Sequence, residues 1–302
     1  MKKKTVKRIL ILLFIAIAYV YSTYQNTDKT VNDNTIKQRK TESTLKESSN
    51  NLDVYFLDVG QADSILLSNN GHYMLIDAGN NEDGPKLVNY FKSLGITKFD
   101  YVIATHAHED HIGGMDDIIK NFDIGTFYMP DLITTTKTFE DVLDALSEKQ
   151  IAFETPTIDQ EFSFSDTKIT TLYVNNEAKN LNDSSIVLRL KHGTNTFLFT
   201  GDASTKVEKQ LLNKNIASDV LKVGHHGSRY STSKKFLNKV NPQYAIISVG
   251  INNTYKHPHD ETLKKLNDKK IIIYRTDQEG TIVAESNGDI IQFKTIKTDT
   301  NG

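Results

Sequence analysis

The sequence contains no cysteine, which excludes disulfides, thiolate zinc sites, a cysteine nucleophile and a lipid-bearing amino-terminal cysteine. Any metal the chain holds must be bound through nitrogen and oxygen. Short-period repeats and internal low-complexity tracts are also missing, so solenoid and fibrous architectures are excluded. A broad basic field is absent too. The formal charge is −2 although Lys2, Lys3, Lys4, Lys7 and Arg8 crowd five positive charges into the first eight residues, so the rest of the chain is net acidic. A protein that wraps nucleic acid by charge alone needs the opposite balance. Bound divalent cations would offset part of that deficit locally.

Long apolar runs are scarce. The one at the amino terminus, residues 9–21, is thirteen residues of uncharged, mostly aliphatic sequence that ends in tyrosines suited to a membrane interface. Counted through Tyr24 it reaches 16 residues, close to the roughly 17 needed to cross a bilayer. A retained membrane anchor and a cleaved signal peptide share this layout, and Ala16-Ile17-Ala18 offers a small-x-small cleavage site. Both readings keep the basic head in the cytoplasm and place the remainder outside it, either anchored to the membrane or secreted. Residues 25–51 are rich in Thr, Ser, Asn, Lys and Glu and read as a flexible polar linker. Residues 52–296 then form the folded domain and 297–302 a tail. With 38 % hydrophobic residues in 302, there is enough apolar material for one large core.

Within that domain, β-branched runs are separated by Gly, Asn and Asp turns. Residues 54–57, 64–67 and 73–76 read as successive strands, the last two joined by a turn at Asn69-Asn70-Gly71. Pro85 opens a helix whose Leu87, Val88, Phe91 and Leu94 share a face. Residues 101–104 form a buried strand that delivers His106 at its carboxyl end, and Met115, Ile118, Ile119 and Phe122 keep helical spacing just beyond. The second half repeats the plan: strands at 185–190, 196–200, 220–223, 244–249 and 271–274 alternate with helices near 206–212, 233–240 and 261–266. This order predicts an α/β fold, a four-layer αββα sandwich with two sheets inside and strand ends from both halves along one edge.

Seven of the nine histidines fall in three tight groups: His106, His108 and His111; His225 and His226; His257 and His259. Alternate residues of an extended segment point the same way, so His106 and His108 can grip one ion, while Asp110 and His111, past the turn, reach a second. Imidazole with carboxylate suits zinc, manganese or iron; calcium and magnesium prefer oxygen alone. The competing explanation, capping and solubility at a turn, leaves unexplained why three imidazoles that repel one another when protonated stand within six residues. Gly113-Gly114 would let the backbone pass close to the ligands.

His106-x-His108-x-Asp110-His111 resembles the signature of the metallo-β-lactamase superfamily. The stretches Leu57-Asp58-Val59-Gly60-Gln61-Ala62-Asp63-Ser64, Leu75-Ile76-Asp77-Ala78-Gly79, Phe199-Thr200-Gly201-Asp202 and Val223-Gly224-His225-His226-Gly227-Ser228 follow in the order found in the hydrolase-like domain of ComEC-type competence proteins. The resemblance implies that Asp202 bridges two metals, that His225 or His226 closes the second position, and that Asp77 orients a ligand histidine from behind. The superfamily often has a further histidine ahead of the bridging aspartate. Here that stretch is Asn182-Asp183-Ser184-Ser185, so Asn182 or Asp183 is expected to stand in. His192 is expected to be exposed in a turn with Gly193.

Ser228 and Arg229, at the start of a helix, could hold a phosphate oxygen, against simple capping by Ser231 or Ser233. His257 and His259 flank Pro258, and one of them could face the metal edge as a substrate contact or proton donor, against packing and capping. Together these readings predict an extracytoplasmic hydrolase with two divalent ions, zinc or manganese, and a phosphodiester substrate, DNA leading. Hydroxide generated at the metals attacks, Asp110 or Asp202 orients it, and His257 or His259 protonates the leaving group. A wall or lipid-headgroup phosphodiesterase, a lactonase and a non-catalytic surface module are the competing readings.

Overall fold

A computed structural model describes residues 51–297. The anchor-or-signal segment, almost all of the linker and most of the tail expected from sequence lie outside the described residues. Among the described residues, no helix is long and apolar enough to cross a membrane.

The chain opens with β1 (Leu52–Phe56), β2 (Ser64–Asn69) and β3 (His72–Ala78), three antiparallel neighbours. Helix Gly84–Ser93 then leads to β4 (Lys98–Ile103), which runs parallel to β3. The parallel run continues through β5 (Asp123–Tyr128) and the short β6 (Phe153–Glu154). A second sheet is built from β7 (Glu161–Phe164), β8 (Thr167–Tyr173), β9 (Val187–His192) and β10 (Asn195–Phe199), all antiparallel. The parallel strands β11 (Val220–Lys222), β12 (Tyr244–Ile247) and β13 (Ile272–Arg275) complete it. Finally β14 (Thr281–Ser286) and β15 (Ile291–Ile296) return to the first sheet, β14 pairing with β1. The orders are β15-β14-β1-β2-β3-β4-β5-β6 and β13-β12-β11-β10-β9-β8-β7.

Side-chain alternation explains the layering. Ile65, Leu67, Met74 and Ile76 of the first sheet meet Leu188, Leu190, Phe197 and Phe199 of the second, and these form the core between the sheets. Their sequence neighbours point outward: Leu66 and Leu75 pack against Phe91, Ile118 and Val142 of the outer helices. Leu198 and Leu221 do the same on the other side against Val207, Leu211, Phe236 and Leu266. Strands buried on both faces need a period-two apolar pattern on each face, and these have it. Each such side chain contributes about 1.5–3 kcal/mol on burial. Three apolar layers between helix, sheet, sheet and helix give the four-layer αββα arrangement predicted from sequence. Leu94 departs from its expected buried face: the helix Gly84–Ser93 ends one residue before it, and as the C-cap it is 42 % exposed.

Candidate metal centre

Parallel pairing places the carboxyl ends of β3, β4, β10, β11 and β12 along one edge, and open α/β sheets bind ligands at such strand ends. Asp77, the last residue but one of β3, is held in the left-handed region at φ 59°. β4 leads into Thr105 and His106. β10 leads through Thr200-Gly201 to Asp202, and β11 leads into the tight turn Gly224–Gly227, where His225 and His226 both have φ 52°. Three non-glycine residues in this sparsely populated region within one site form a cluster of local strain, of the kind that gathers where side-chain aim matters more than backbone comfort. Gly113 and Gly114 allow the crowding. A Cβ at Gly113 would fall 2.2 Å from the carbonyl carbon of Asn80, and one at Gly114 would fall 2.5 Å from the Ala78 oxygen.

Asp202, buried to 1 % exposure, stands between two ligand groups. Its Oδ1 lies 3.3 Å from His111 Nε2 and 3.9 Å from His226 Nε2. Its Oδ2 lies 3.5 Å from His225 Nε2 and 4.0 Å from His106 Nε2. Asp110 Oδ2 completes the first side, 3.2 Å from His226 Nε2 and 3.9 Å from His111 Nε2. His108 Nδ1 completes the other, 3.0 Å from His106 Nε2. Both members of the 225–226 pair therefore reach Asp202, one at each carboxylate oxygen.

The rings are aimed from behind. His111 donates from Nδ1 to Asp77 at 2.7 Å, and Asp77 is itself fixed by the Thr105 amide and hydroxyl, each at 2.8 Å. His226 donates from Nδ1 to the Ser248 carbonyl at 2.9 Å. Each of these bonds holds a proton on Nδ1 and turns Nε2 into the site, where it becomes a ligand atom once its own proton is displaced. His111 Nε2 and Asp202 Oδ1 are buried and make no hydrogen bond, although they are 3.3 Å apart. A buried ring nitrogen and a buried carboxylate oxygen turned toward common space fit a cation in place of the ring proton, and the all-nitrogen-and-oxygen donor set fits zinc or manganese.

Charge reinforces the fit. Burial alone would lower the pKa of His111, but the carboxylates of Asp202, Asp77 and Asp110 outweigh it and hold the ring well above the usual histidine range. His226 is raised for the same reason, with Asp202 and Asp63 prevailing over burial. Asp202 is held well below the usual carboxylate range, the His111 and His226 charges overcoming desolvation. The pocket thus demands positive charge. His106, His108 and His225 are lowered, chiefly by burial, which keeps them neutral and ready to ligate at pH 7.

Several sequence expectations need correction. Asp183 accepts from Ser204 Oγ and is paired with Lys206 Nζ at 3.3 Å, so it braces a helix start and does not replace a ligand. Asn182 does reach the site: its Nδ2 is 3.4 Å from His225 Nδ1, and its buried Oδ1 has no partner. The start of helix Lys234–Val240 is no phosphate cradle, because the Glu208 carboxylate already accepts from the Thr232 and Ser233 amides. Ser228 is buried inside its loop, and Arg229 pairs with Glu261 at 3.1 Å. His259 Nδ1 accepts from the Arg229 amide at 3.1 Å, whereas His257 lines the metal groove. His192 is no exposed turn residue. It ends β9, is 3 % exposed, and its Nδ1 lies 2.8 Å from Ser286 Oγ.

A buried ion pair that no sequence motif announces lies beneath the ligands. Lys222 Nζ lies 2.8 Å from Asp63 Oδ2, each side chain 1 % exposed, and Asp63 Oδ1 is 3.4 Å from His226 Nδ1. Asp63 sat inside a quoted motif without a role, and Lys222 looked like an ordinary strand residue. Above the ligands, a groove of about 600 Å³ is lined by Gln61, His108, Asp110, Asp202, His225 and Tyr255, among others.

Residues 57–251 match the family model of the metallo-beta-lactamase superfamily. The chain belongs to that superfamily. ComE operon protein 3 of Bacillus subtilis (strain 168) is 33 % identical over 251 residues, covering 76 % of this chain and 32 % of its own. Competence protein ComA of Neisseria gonorrhoeae is 30 % identical over 74 % of this chain and 31 % of its own, and Recombination protein 2 of Haemophilus influenzae is 30 % identical over 80 % and 30 %. The chain thus spans about a third of the length of these curated relatives. Among solved structures, the metallo-beta-lactamase fold protein YhfI from Bacillus subtilis superposes with a TM-score of 0.53 at 14 % identity, over 78 % of this chain and all of that one. That likeness establishes the fold. Family, fold and ligand clusters together make the protein a metallo-β-lactamase-fold hydrolase of a metal-dependent superfamily.

Proposed function

We propose that this hydrolase cleaves phosphodiesters outside the cytoplasm with two divalent cations, zinc or manganese, and that DNA is its leading substrate. The observation that carries the proposal is the position of Asp202, whose two carboxylate oxygens face separate groups of ligand residues. Its competence and recombination relatives support DNA, and the basic head followed by an apolar run supports an extracytoplasmic location, anchored or secreted.

Cations held there would supply polarisation of a phosphoryl oxygen and a water acidified to a pKa of roughly 7. The chain's own residues supply the rest. Asp110, whose carboxyl is lowered by His111 and His226 against the pull of burial, accepts a hydrogen bond and orients the attacking water. His257 has its pKa lowered to about 4, first by burial and then by the neighbouring His226 charge, and is neutral at pH 7. A phosphate anion seated in the groove raises its basicity, so it takes a proton from solvent as the substrate binds and passes that proton to the leaving oxygen.

The test offers the full chain, with manganese or zinc, linear DNA, bis-p-nitrophenyl phosphate, glycerophosphocholine and a homoserine lactone in parallel. DNA cleavage by the native protein, lost by at least about 10³-fold in Asp202→Ala, is expected. Cleavage confined to a small diester would replace the nuclease by a wall or lipid-headgroup phosphodiesterase. Opening of the lactone alone would replace phosphodiester chemistry, and silence with metal bound would favour a binding module.

A further inference from the structure

One aromatic side chain at the mouth of the groove has no structural task. Tyr255 is 63 % exposed, on the short irregular segment between β12 and helix Asp260–Asp268. One face of its ring lies on His257 at a centroid distance of 5.6 Å and an interplanar angle of 22°. His257 in turn lies 6.4 Å from the ring of His226, at 23°. Three rings thus step outward, nearly parallel, from the ligand His226 to solvent. Both separations fall within the range in which flat rings stack.

The segment is braced. Asn253 donates from Nδ2 to the carbonyls of Gly250 at 3.0 Å and His257 at 2.7 Å, and accepts from the His257 amide at 2.9 Å. Gln61 ties the same segment to the first sheet, accepting from the Gly250 amide at 3.2 Å, with its Nε2 3.4 Å from His257 Nδ1. The ring is therefore held in advance, which reduces the ordering entropy a ligand must offset. An exposed, immobilised aromatic at a hydrolytic groove is wasted on a lactone or a simple alkyl diester. It suits a planar group joined to the scissile phosphate by a short flexible spacer, and a nucleotide has that construction. The net acidic body gives little electrostatic attraction for a polyanion, so stacking is the term left to supply affinity.

We propose that Tyr255 is a base-stacking platform: with a phosphodiester over Asp202, a base one or two nucleotides away lies on the free face of the Tyr255 ring. This rests on the phosphodiesterase reading and narrows it to single-stranded nucleic acid or frayed ends, because a paired base has both faces occupied.

The experiment measures binding of the full chain, in detergent and manganese, to a fluorescein-labelled, hydrolysis-resistant phosphorothioate oligothymidylate and to an abasic phosphorothioate strand of the same length, by anisotropy. The native protein binds the oligothymidylate more tightly. Tyr255→Ala weakens that binding about 10-fold, as loss of one stacked base does, and leaves the abasic strand unaffected. Tyr255→Phe keeps the native affinity, since stacking needs the ring and not the hydroxyl. Equal native affinity for the two strands overturns the proposal, as does a Tyr255→Phe protein as weak as Tyr255→Ala, or an alanine effect of equal size on both strands. The reading is independent of turnover. An active enzyme indifferent to bases contradicts the platform alone, whereas a chain that discriminates bases but cleaves no phosphodiester contradicts the chemistry alone.

Discussion

At the residue scale, His111 shows how much a side chain owes to its surroundings. An imidazole at 0 % exposure should shed its proton, yet Asp202, Asp77 and Asp110 keep it charged. The imidazolium occupies the electrostatic position that a cation would take, and a cation must displace its proton. His226, also raised, behaves alike, while His106, His108 and His225 are lowered by burial and have no proton to give at pH 7. Because both rings are raised, each still holds its proton above the ordinary histidine range, and metal affinity rises with pH there as that proton becomes easier to displace. Calorimetric titration with manganese in buffers of different ionisation enthalpy checks this, with proton release on binding expected and a pH-independent affinity contradicting it. The ligands themselves were readable from sequence, because like chemistry recurs at close spacing. The Asp63–Lys222 pair was not, since its meaning is created by a contact across 159 positions.

At the scale of elements, that pair links the start of β2 in one sheet to the end of β11 in the other, beneath the ligand His226. A buried ion pair is a poor source of net stability, but removing one partner strands the other charge, at about 3–5 kcal/mol. Lys222→Met should lose that much in urea unfolding of the metal-free chain. Asp63→Leu combined with Lys222→Met should recover most of it. A double replacement as unstable as the single one would show that the cost is packing and not charge. Local signals explain what could be foreseen among the elements. The strand β4 and the helix Met115–Asn121 follow their apolar spacing, and so does Lys137–Glu148, whose buried Phe139, Val142, Ala145 and Leu146 carry a pattern that was there to be seen. The phosphate cradle at Ser228 and Arg229 failed because the amides of Thr232 and Ser233 were already taken by Glu208, which lies 24 and 25 positions away.

For the molecule as a whole, the two-sided apolar strands require helices outside two sheets, and the order of strands and helices along the chain was enough to predict that layering. The return of β14 and β15 to the first sheet could not, because Ile282 and Ala284 pair with Phe56 and Val54 more than 220 residues away, and nothing local announces a partner. Closure of the two sheets on each other is what brings Asp77 and His106 from one half to Asp202 and His226 from the other. That convergence is expected to trap a pair of ions around Asp202. Equilibrium dialysis of the chain against manganese, followed by elemental analysis, tests it most directly: two ions per native chain and fewer than one in Asp202→Ala are expected. A folded native chain that retains no ion, or an alanine variant that keeps both, would contradict it.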